Sequence, residues 1–311
     1  MANDYLTTTE VAVFNDADFN LGVSDVLDGA PLVQALAART VMKDTFKYSK
    51  KTANPSVGFR SENDGRENDH AERSNVTVTL GILDASFTVD WSTANSDERG
   101  WSTLLATEAR DHLRAAFAAV ESQLLNGTVG GDANGFSGLA DQTNLDDSDD
   151  AQVIDAGGTT ASTGSSCYVI RSGPMDLELV WGQQGVIEIG ESYMQRAAGT
   201  TGFYPALYTP ITGWCGLKVG SIYSAVRIAN LTEDSGKGLT DDLIADAISE
   251  FPSDRPPTHI VMNRRSLKQL QQSRTATNAT GAPAPFPMEA FGYPIVTTDR
   301  ISSTEALLTA A

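Results

Sequence analysis

The sequence is poor in the residues that build most metal centres and disulfide frameworks. Its 311 residues include three histidines and two cysteines. His70, His112 and His259 are far apart and show none of the close spacings of zinc sites. Cys167 and Cys215 are also far apart, which fits two buried thiols in a reducing compartment. We therefore expect no metal-binding residues and no disulfide scaffold.

Catalytic and phosphate-binding motifs are also missing. The chain has no G-x-S-x-G, G-x-G-x-x-G or Walker sequence, and the glycines from Gly127 to Gly138 lack a G-K-[ST] ending, so a turn after a helix is favoured there. The run from Asp146 to Asp150 lacks the glycine and glutamate of an EF-hand, which favours a solvated loop. We predict that the protein is not an enzyme and has no catalytic or cofactor-binding residues. An enzyme with dispersed carboxylates is a less favoured alternative.

Long apolar runs are absent as well. No uninterrupted apolar stretch reaches membrane length, and the first ten residues carry Asp4 and Glu10 without a basic residue. This pattern predicts neither a membrane anchor nor a signal peptide. The hydrophobic content of 41% is enough for one large or two ordinary folded domains.

Basic residues are scarce. The chain has 22 lysines and arginines against 40 aspartates and glutamates, a formal net charge of −18. Such a surface repels DNA, because duplex binding depends on cations that neutralise phosphates. The charge predicts a protein that does not bind nucleic acid directly. An acidic surface that only maintains solubility, or suits a salty environment, is the simpler alternative to a selected function of this charge.

The dominant element of the sequence is a long amphipathic helix, the spine helix, predicted from Trp101 to Gly127. Its large apolar residues recur at steps of three and four, and the segment would be about 40 Å long. Ser96 is the predicted N-cap and Gly127 the predicted left-handed stop. The polar face expected in water comprises Glu108, Arg110, Asp111, Arg114 and Glu121.

A long two-stranded hairpin is predicted before the spine helix. Its strands would be Lys43–Lys51 and Ser74–Asp90, with the polar tip Thr52–Arg73 between them. Alternation in the second strand places one apolar set on a single face: Val76, Val78, Leu80 and Ile82. A hairpin that stands off the body is marginal alone, so we expect it to lie on a neighbouring subunit.

The remaining chain divides into an arm, a β-rich block and a helical block. Residues 1–29 have an acidic bias and no period, and Ala30–Met42 is predicted to be a helix that starts with Pro31. Ser166–Leu231 is predicted to form an antiparallel sheet region. Further predicted elements are strands Cys167–Arg171, Leu177–Trp181, Val186–Ile189, Tyr223–Leu231, Thr258–Met262 and Tyr293–Thr298, and helices Asp241–Phe251 and Arg264–Arg274, capped by Thr240 and Asn263.

The order of these parts resembles the major capsid proteins of tailed bacteriophages with the Hong Kong 97-type fold. The resemblance is carried by the arm, the polar-tipped hairpin, the helix end "NGTVGGDANGFSGLAD", and "THIVMNRRSLKQLQQSR" followed by "FGYPIVTTD". It covers most of the chain, although each motif alone is weak. One departure is that the β-rich block here precedes the helical block.

The resemblance implies an α+β shell protein of an icosahedral virion, assembled in the bacterial host cytoplasm. The implied divisions are the N-terminal arm 1–29, a short helix and E-loop 30–95, a peripheral domain 96–239 with the spine helix, and an axial domain 240–311. The implied partners are its own copies in pentamers and hexamers, a separate scaffolding protein, a portal and cement or decoration proteins. The shell would enclose DNA without specific binding and without a membrane. A cellular nanocompartment shell of the same fold is the alternative.

Two expectations concern contacts between subunits. The basic cluster Arg39, Lys43, Lys47, Lys50 and Lys51 could meet the acidic loop Asp141–Asp155 of a neighbour, although two unrelated solvated faces are somewhat favoured. The prototype of the fold joins its subunits through an E-loop lysine and an asparagine. The tip Thr52–Arg73 contains no lysine, so we expect a shell without such cross-links.

Overall fold

The computed structural model describes residues 29–66, 69–185, 187–274 and 285–309. The predicted arm lies outside the described residues except for Gly29, as does most of the predicted loop 275–287. The helices are α1 (Pro31–Ala35), α2 (Trp91–Ala94), α3 (Trp101–Gly130), α4 (Asp241–Ser249) and α5 (Arg264–Ser273). The strands are β1 (Ala38–Thr40), β2 (Thr45–Ala53), β3 (Glu72–Thr79), β4 (Gly81–Asp84), β5 (Phe87–Asp90), β6 (Val153–Asp155), β7 (Cys167–Ile170), β8 (Leu177–Trp181), β9 (Glu188–Ile189), β10 (Tyr193–Ala198), β11 (Phe203–Thr209), β12 (Ile211–Val219), β13 (Ala225–Ala229), β14 (His259–Met262), β15 (Glu289–Ala290) and β16 (Tyr293–Thr297). Helices and strands are mixed along the chain, which confirms the α+β class.

The spine helix α3 spans 30 residues, about 45 Å. Its N-cap is Gly100, which has a positive φ of 94° and supplies no side-chain hydrogen bond, so the predicted cap at Ser96 is wrong. The helical conformation is interrupted at Gly127, where φ is 63° and ψ is −156°, but helix continues to Gly130, so Gly127 is a kink and the predicted left-handed stop there is wrong. A side chain at this position would be strained, because L-residues rarely adopt a positive φ.

The spine helix contributes to two hydrophobic cores. Near its start, Leu104 and Leu105 pack with residues of β5 and β11. Further along, Leu124 and Leu125 belong to the largest core, together with α1, β8 and β12. Glu121 lies on this buried side and is fully buried, so its expected place on the solvated face is wrong. Glu121 is buried because its carboxylate accepts hydrogen bonds from the first turn of α1 and from Thr298.

Two sheets lie along the spine helix. The first has the order β1-β8-β12-β4, with β9 also paired to β12, and the second has the order β10-β11-β5. Strand β12 is nine residues long and pairs with β4, β8 and β9, so it is the centre of the first sheet. The hairpin β10–β11 and strand β12 were not predicted, because Pro205, Pro210 and several glycines interrupt their alternation.

A third sheet has six strands in the order β15-β16-β14-β7-β13-β6. The strands within Ser166–Leu231 pair with each other in antiparallel fashion, which confirms the predicted antiparallel region. The parallel pairs β13–β6 and β14–β16 involve strands outside that range. Helices α4 and α5 pack on this sheet around Ile244 and Leu270. The predicted caps are confirmed, since Thr240 accepts from the N–H of Leu243 and Asn263 from that of Ser266.

The six-stranded sheet takes strands from both sides of residue 240. Strands β6, β7 and β13 precede this residue, whereas β14, β15 and β16 follow it. The predicted boundary between the domains 96–239 and 240–311 therefore divides the strands of one sheet between the two domains. The division into peripheral and axial domains stays a prediction.

Helix α1 is shorter than predicted. It covers Pro31–Ala35, and Leu36 already has an extended backbone. The following residues form β1, which pairs in parallel with β8 from Ala38 opposite Leu179 to Thr40 opposite Trp181. The predicted helix Ala30–Met42 is wrong beyond Ala35, because pairing with a buried strand outweighs the helical preference of a short segment.

The predicted hairpin is confirmed as β2 and β3, which pair from Thr45 opposite Thr79 to Ala53 opposite Glu72. The second predicted strand, Ser74–Asp90, is in fact three strands. Beyond Thr79 the chain leaves the hairpin, β4 pairs with β12 and β5 pairs with β11. Leu80 is buried as expected, but Ile82 is 63% exposed, so the predicted single face ends at the change of partner.

Candidate assembly surfaces

The hairpin tip presents apolar side chains to solvent. Val57 is 85% exposed and Phe59 is fully exposed, although both are large hydrophobic residues. The surrounding residues are polar, and the tip contains internal hydrogen bonds: the N–H of Ser56 donates to the Asp69 carboxylate at 2.8 Å. Backbone hydrogen bonds from Ser56 and His70 lower the pKa of Asp69. The tip is thus organised locally and leaves its two apolar residues uncovered.

The base of the hairpin is anchored to β12. The Tyr48 hydroxyl donates to the carbonyl oxygen of Val219 at 2.6 Å, and burial raises the pKa of this phenol. The Tyr48 ring stacks on Phe46, with ring centres 5.9 Å apart. The Lys218 ammonium lies 5.4 Å from the centre of the Tyr48 ring, within range of a cation–π contact.

A buried ion pair supports this anchor. Lys218 is 6% exposed and its Nζ donates to Glu178 Oε2 at 3.2 Å and to the carbonyl oxygen of Pro174. Arg39, from β1, donates through Nε to the same carboxylate oxygen at 3.0 Å. Glu178 therefore forms ion pairs with two cations, one of which, Lys218, is buried beneath the hairpin. Because buried charges are tolerated only when they are paired, this carboxylate stabilises Lys218 in its position beneath the Tyr48 ring.

The glycine-rich segment after the spine helix closes the helix end. The N–H groups of Leu139 and Ala140 donate to the carbonyl oxygens of Leu124 and Leu125, at 2.8 and 3.1 Å. A Cβ at Gly138 would lie 2.4 Å from the carbonyl oxygen of Gln123, so only glycine allows this approach. The glycines serve helix termination, as the sequence favoured over phosphate binding.

Asp141 ties the same segment to the kink of the spine helix. Its carboxylate accepts from the N–H and the hydroxyl of Thr128, at 2.6 and 2.9 Å, and from the N–H groups of Val129 and Gly138 at 3.3 Å. Partial burial alone would raise the pKa of Asp141, but these hydrogen bonds outweigh it and the pKa is lowered. The residue thus acts as a structural carboxylate within its own chain.

Glu121 holds the point where the N-terminal segment meets the body. Its Oε2 accepts from the N–H groups of Leu32 and Val33, at 2.7 and 3.3 Å. The hydroxyl of Thr298 donates to its Oε1. The N–H groups of Leu32 and Val33 stand in the first turn of α1, where backbone N–H groups have no partner within the helix. Sequence reasoning missed this role, because a glutamate on an amphipathic helix gives no local sign of a distant partner.

The last described residues form a strap, residues 299–309, over the six-stranded sheet. Glu305 accepts from the Ser166 hydroxyl at 2.6 Å and forms a salt bridge of 3.4 Å with Arg227. Asn230 and Leu308 exchange two hydrogen bonds, of 2.8 and 3.0 Å. This strap was not predicted, since "DRISSTEALLTAA" has neither a helical nor a strand period.

The histidines and cysteines lie apart in the structure as in the sequence. His112 stacks on Phe87, and His259 lies beside Thr258 with a pKa lowered by burial. Both cysteines are buried and free, and burial raises the pKa of Cys215 to about 12. Among the residues that the structure describes, no three histidine, cysteine or acidic side chains gather as metal ligands, and no helix is long and apolar enough to cross a membrane.

The basic cluster and the acidic loop, which were expected to meet between subunits, form some of their contacts within one subunit. In the basic cluster, Arg39 is paired with Glu178. In the acidic loop, Asp141 holds Thr128, and Asp150 accepts from the N–H of Asp147 at 3.1 Å. The hypothesis that these surfaces bind each other stays a prediction.

Comparison with known proteins identifies the family of this chain and proteins of similar fold. A family model, Major capsid protein GP7, matches residues 32–309. A chain from the near-atomic structure of bacteriophage Epsilon15 is 17% identical, with a TM-score of 0.68 over 100% of this chain and 99% of that chain. A chain of the bacteriophage JBD30 capsid is 13% identical, with a TM-score of 0.52 over 89% of this chain and 93% of that one. At these identities the likeness is one of fold, and it confirms the Hong Kong 97-type architecture. No curated protein matches.

Proposed function

We propose that the subunits of this protein close a shell by laying the β2–β3 hairpin on a neighbouring copy. The chain belongs to the family of major capsid protein GP7 and is a shell protein of a tailed-phage head. The observation that carries this proposal is the hairpin tip, where Val57 and Phe59 are exposed on an arm that Tyr48 anchors to β12. Exposed apolar groups on a projection lose free energy when a partner covers them. The family match favours this function over a cellular nanocompartment.

The proposed assembly consists of pentamers and hexamers that build an icosahedral shell. An element that leaves the body of one copy and covers another makes a heterologous contact, which closes into rings when the rotation between copies allows it. The six-stranded sheet with α4 and α5 is the proposed axial unit near the ring centre. The spine helix with the other two sheets is the proposed peripheral unit.

The proposed partners beyond other copies are a separate scaffolding protein, a portal and cement or decoration proteins. They follow from the role of a shell, which must be sized during assembly and stabilised afterwards. The enclosed DNA is proposed to make no specific contact with the protein. A formal charge of −18 supports this, because acidic walls repel phosphates and keep packed DNA free to leave.

Electron microscopy and sedimentation of the purified chain, alone and with co-expressed viral partners, test the proposal. Closed particles with five-fold and six-fold rings are the expected result, with density for the hairpin over an adjacent copy. A stable monomer under all salt conditions would contradict shell formation. Shells in which the hairpin lies on its own subunit would contradict the assigned contact.

A further inference from the structure

Two Asn-Gly pairs lie close together at the end of the spine helix. They are Asn126–Gly127, at the kink of the helix, and Asn134–Gly135, in the turn that follows it. An asparagine before a glycine loses its side-chain amide most readily, because glycine has no Cβ to hinder the approach of its backbone nitrogen to the asparagine Cγ. The two dipeptides are chemically alike, so any difference between them comes from the structure.

The structure holds Asn126 in place. Its Nδ2 donates to the Ser122 hydroxyl at 3.2 Å and to the carbonyl oxygen of Arg300 at 3.3 Å. Both Asn126 and Gly127 belong to the spine helix, where backbone N–H groups point along the helix axis toward earlier carbonyl oxygens. The Asn126 amide and the Gly127 nitrogen are therefore kept apart.

Asn134 is exposed in a surface turn. Its backbone N–H donates to Asp132 Oδ1 at 2.9 Å. Within the described part of the chain, its side-chain amide forms no hydrogen bond. The Asn134 side chain can therefore rotate in solvent and bring its Cγ to the nitrogen of the next residue.

The nitrogen that would react with Asn134 belongs to Gly135. Its N–H donates to the carbonyl oxygen of Asp132 at 3.0 Å, which closes the turn. Gln123 holds both ends of this turn, because its Nε2 donates to the carbonyl oxygens of Asp132 and Phe136 at 3.1 and 2.7 Å. The reaction therefore requires the opening of a hydrogen bond in a surface turn, while the helix and the core stay folded. Such a local opening costs far less free energy than global unfolding.

We propose that Asn134 is a site of spontaneous deamidation, at which the protein acquires an aspartate or isoaspartate as it ages. The Gly135 nitrogen attacks Cγ of Asn134, so that a new C–N bond closes a cyclic imide. The bond between Cγ and Nδ2 breaks, and Nδ2 leaves as ammonia with the proton that the Gly135 nitrogen gives up. Water then adds to either carbonyl of the imide and opens the ring. The reaction consumes only water and does not depend on whether shells close.

Both products change the surroundings of the turn. They add a negative charge at position 134, on the wall of a cavity of about 480 Å³ between the hairpin and the body. Lys50, on the hairpin, is the only charged residue among the described residues that line this cavity. Isoaspartate also lengthens the backbone by one methylene between Asp132 and Phe136, the two residues that Gln123 holds. The modification thus acts where the hairpin and the end of the spine helix meet.

Incubation of the purified full-length chain in mildly alkaline buffer, followed by digestion and mass spectrometry, tests the proposal. In the folded chain, conversion of amide to acid is expected at least about tenfold faster at Asn134 than at Asn126, because Asn126 reacts only when the helix opens. In urea, which removes this protection, the two rates should agree within about threefold. Enzymatic methylation of isoaspartate in the digest identifies the product that is specific to the cyclic imide.

Two variants at position 134 supply the second arm of the experiment. Isoelectric focusing of the unchanged chain should show an acidic band that grows with time and with pH and focuses with fresh Asn134→Asp. The matched variant Asn134→Gln keeps a neutral amide with a longer side chain and should lose most of this band. Equal rates at the two asparagines of the folded chain, or an intact Asn134 there while the chain in urea converts, would overturn the proposal.

Discussion

Glu121, fully buried within the spine helix, accepts a hydrogen bond of 2.7 Å from the backbone N–H of Leu32, 89 residues earlier in the chain. The same carboxylate binds Val33 and Thr298. It therefore joins the start of the described chain, the spine helix and the end of β16 at a single point. The first turn of α1 is held in a fixed position on the spine helix because of this contact.

Replacing Glu121 should destabilise the folded subunit. Glu121→Ala leaves two backbone N–H groups and a hydroxyl buried without an acceptor, and we expect a loss of about 3 kcal/mol in the free energy of unfolding. Urea titration followed by circular dichroism measures it. Asp111→Ala, on the exposed face of the same helix, should change the value by less than about 0.5 kcal/mol. Equal effects of the two substitutions would contradict the assigned role.

The ion pair under the hairpin should behave as a unit. Glu178→Ala leaves Lys218 buried beside Arg39 without a counter-charge, so we expect a loss of about 3 to 5 kcal/mol in the free energy of unfolding. Glu178→Leu combined with Lys218→Met removes both charges and should recover most of that loss. A double-mutant cycle by denaturant unfolding checks the coupling. Additive single effects would argue against it.

Asp141 should make stability depend on pH. Its folded-state pKa is lowered, so its contribution is present above its unfolded pKa, about 4, and is lost as the pH falls through the lower folded value. Asp141→Asn should therefore be less stable than the unchanged chain at pH 7, and the difference should shrink at acidic pH below 4. Unfolding curves of both proteins across this range measure it. A difference that is constant with pH would exclude the carboxylate as its source.

Removing the hairpin tip should separate folding from assembly. The segment Asn54–Ala71 can be replaced by Asn-Gly, which suits a two-residue turn between Ala53 and Glu72. We expect a folded subunit with nearly unchanged thermal unfolding and no closed shells, because the tip adds little to the core. Light scattering and microscopy provide the assembly measurement.

A smaller change controls for the size of this deletion. Phe59→Ser alters one exposed apolar residue and should weaken assembly without abolishing it. Normal shells from the shortened hairpin would refute the proposed contact between subunits.

The shell should contain no covalent bonds between subunits. The sequence Thr52–Arg73 has no lysine, and the hairpin lysines Lys47, Lys50 and Lys51 lie in the strand near the base. A nucleophilic amine is therefore missing where an extended tip would meet a neighbour. Boiling purified particles in detergent with reductant should give a single band near the chain mass of 33.0 kDa. A ladder of larger species would show that a lysine outside the tip forms such bonds.

Local features of the chain were predictable from sequence. The spine helix, the caps Thr240 and Asn263 and the hairpin β2–β3 all follow from periodicity or from the side chain of one residue. These signals act over a few neighbouring residues, so they can be recognised without knowing the fold. The order of such local parts was also enough for the resemblance to phage capsid proteins.

Only the tertiary structure decided which distant segments meet. The length of α1, the pairing of β4 with β12, the burial of Glu121 and the strap held by Glu305 all depend on partners far away in sequence. A glutamate on a helix is solvated or buried according to the donors that folding brings to it. A strand likewise changes partner where another strand offers better packing. Because such contacts are settled by pairing and burial across the whole chain, residue type and spacing alone could not predict them.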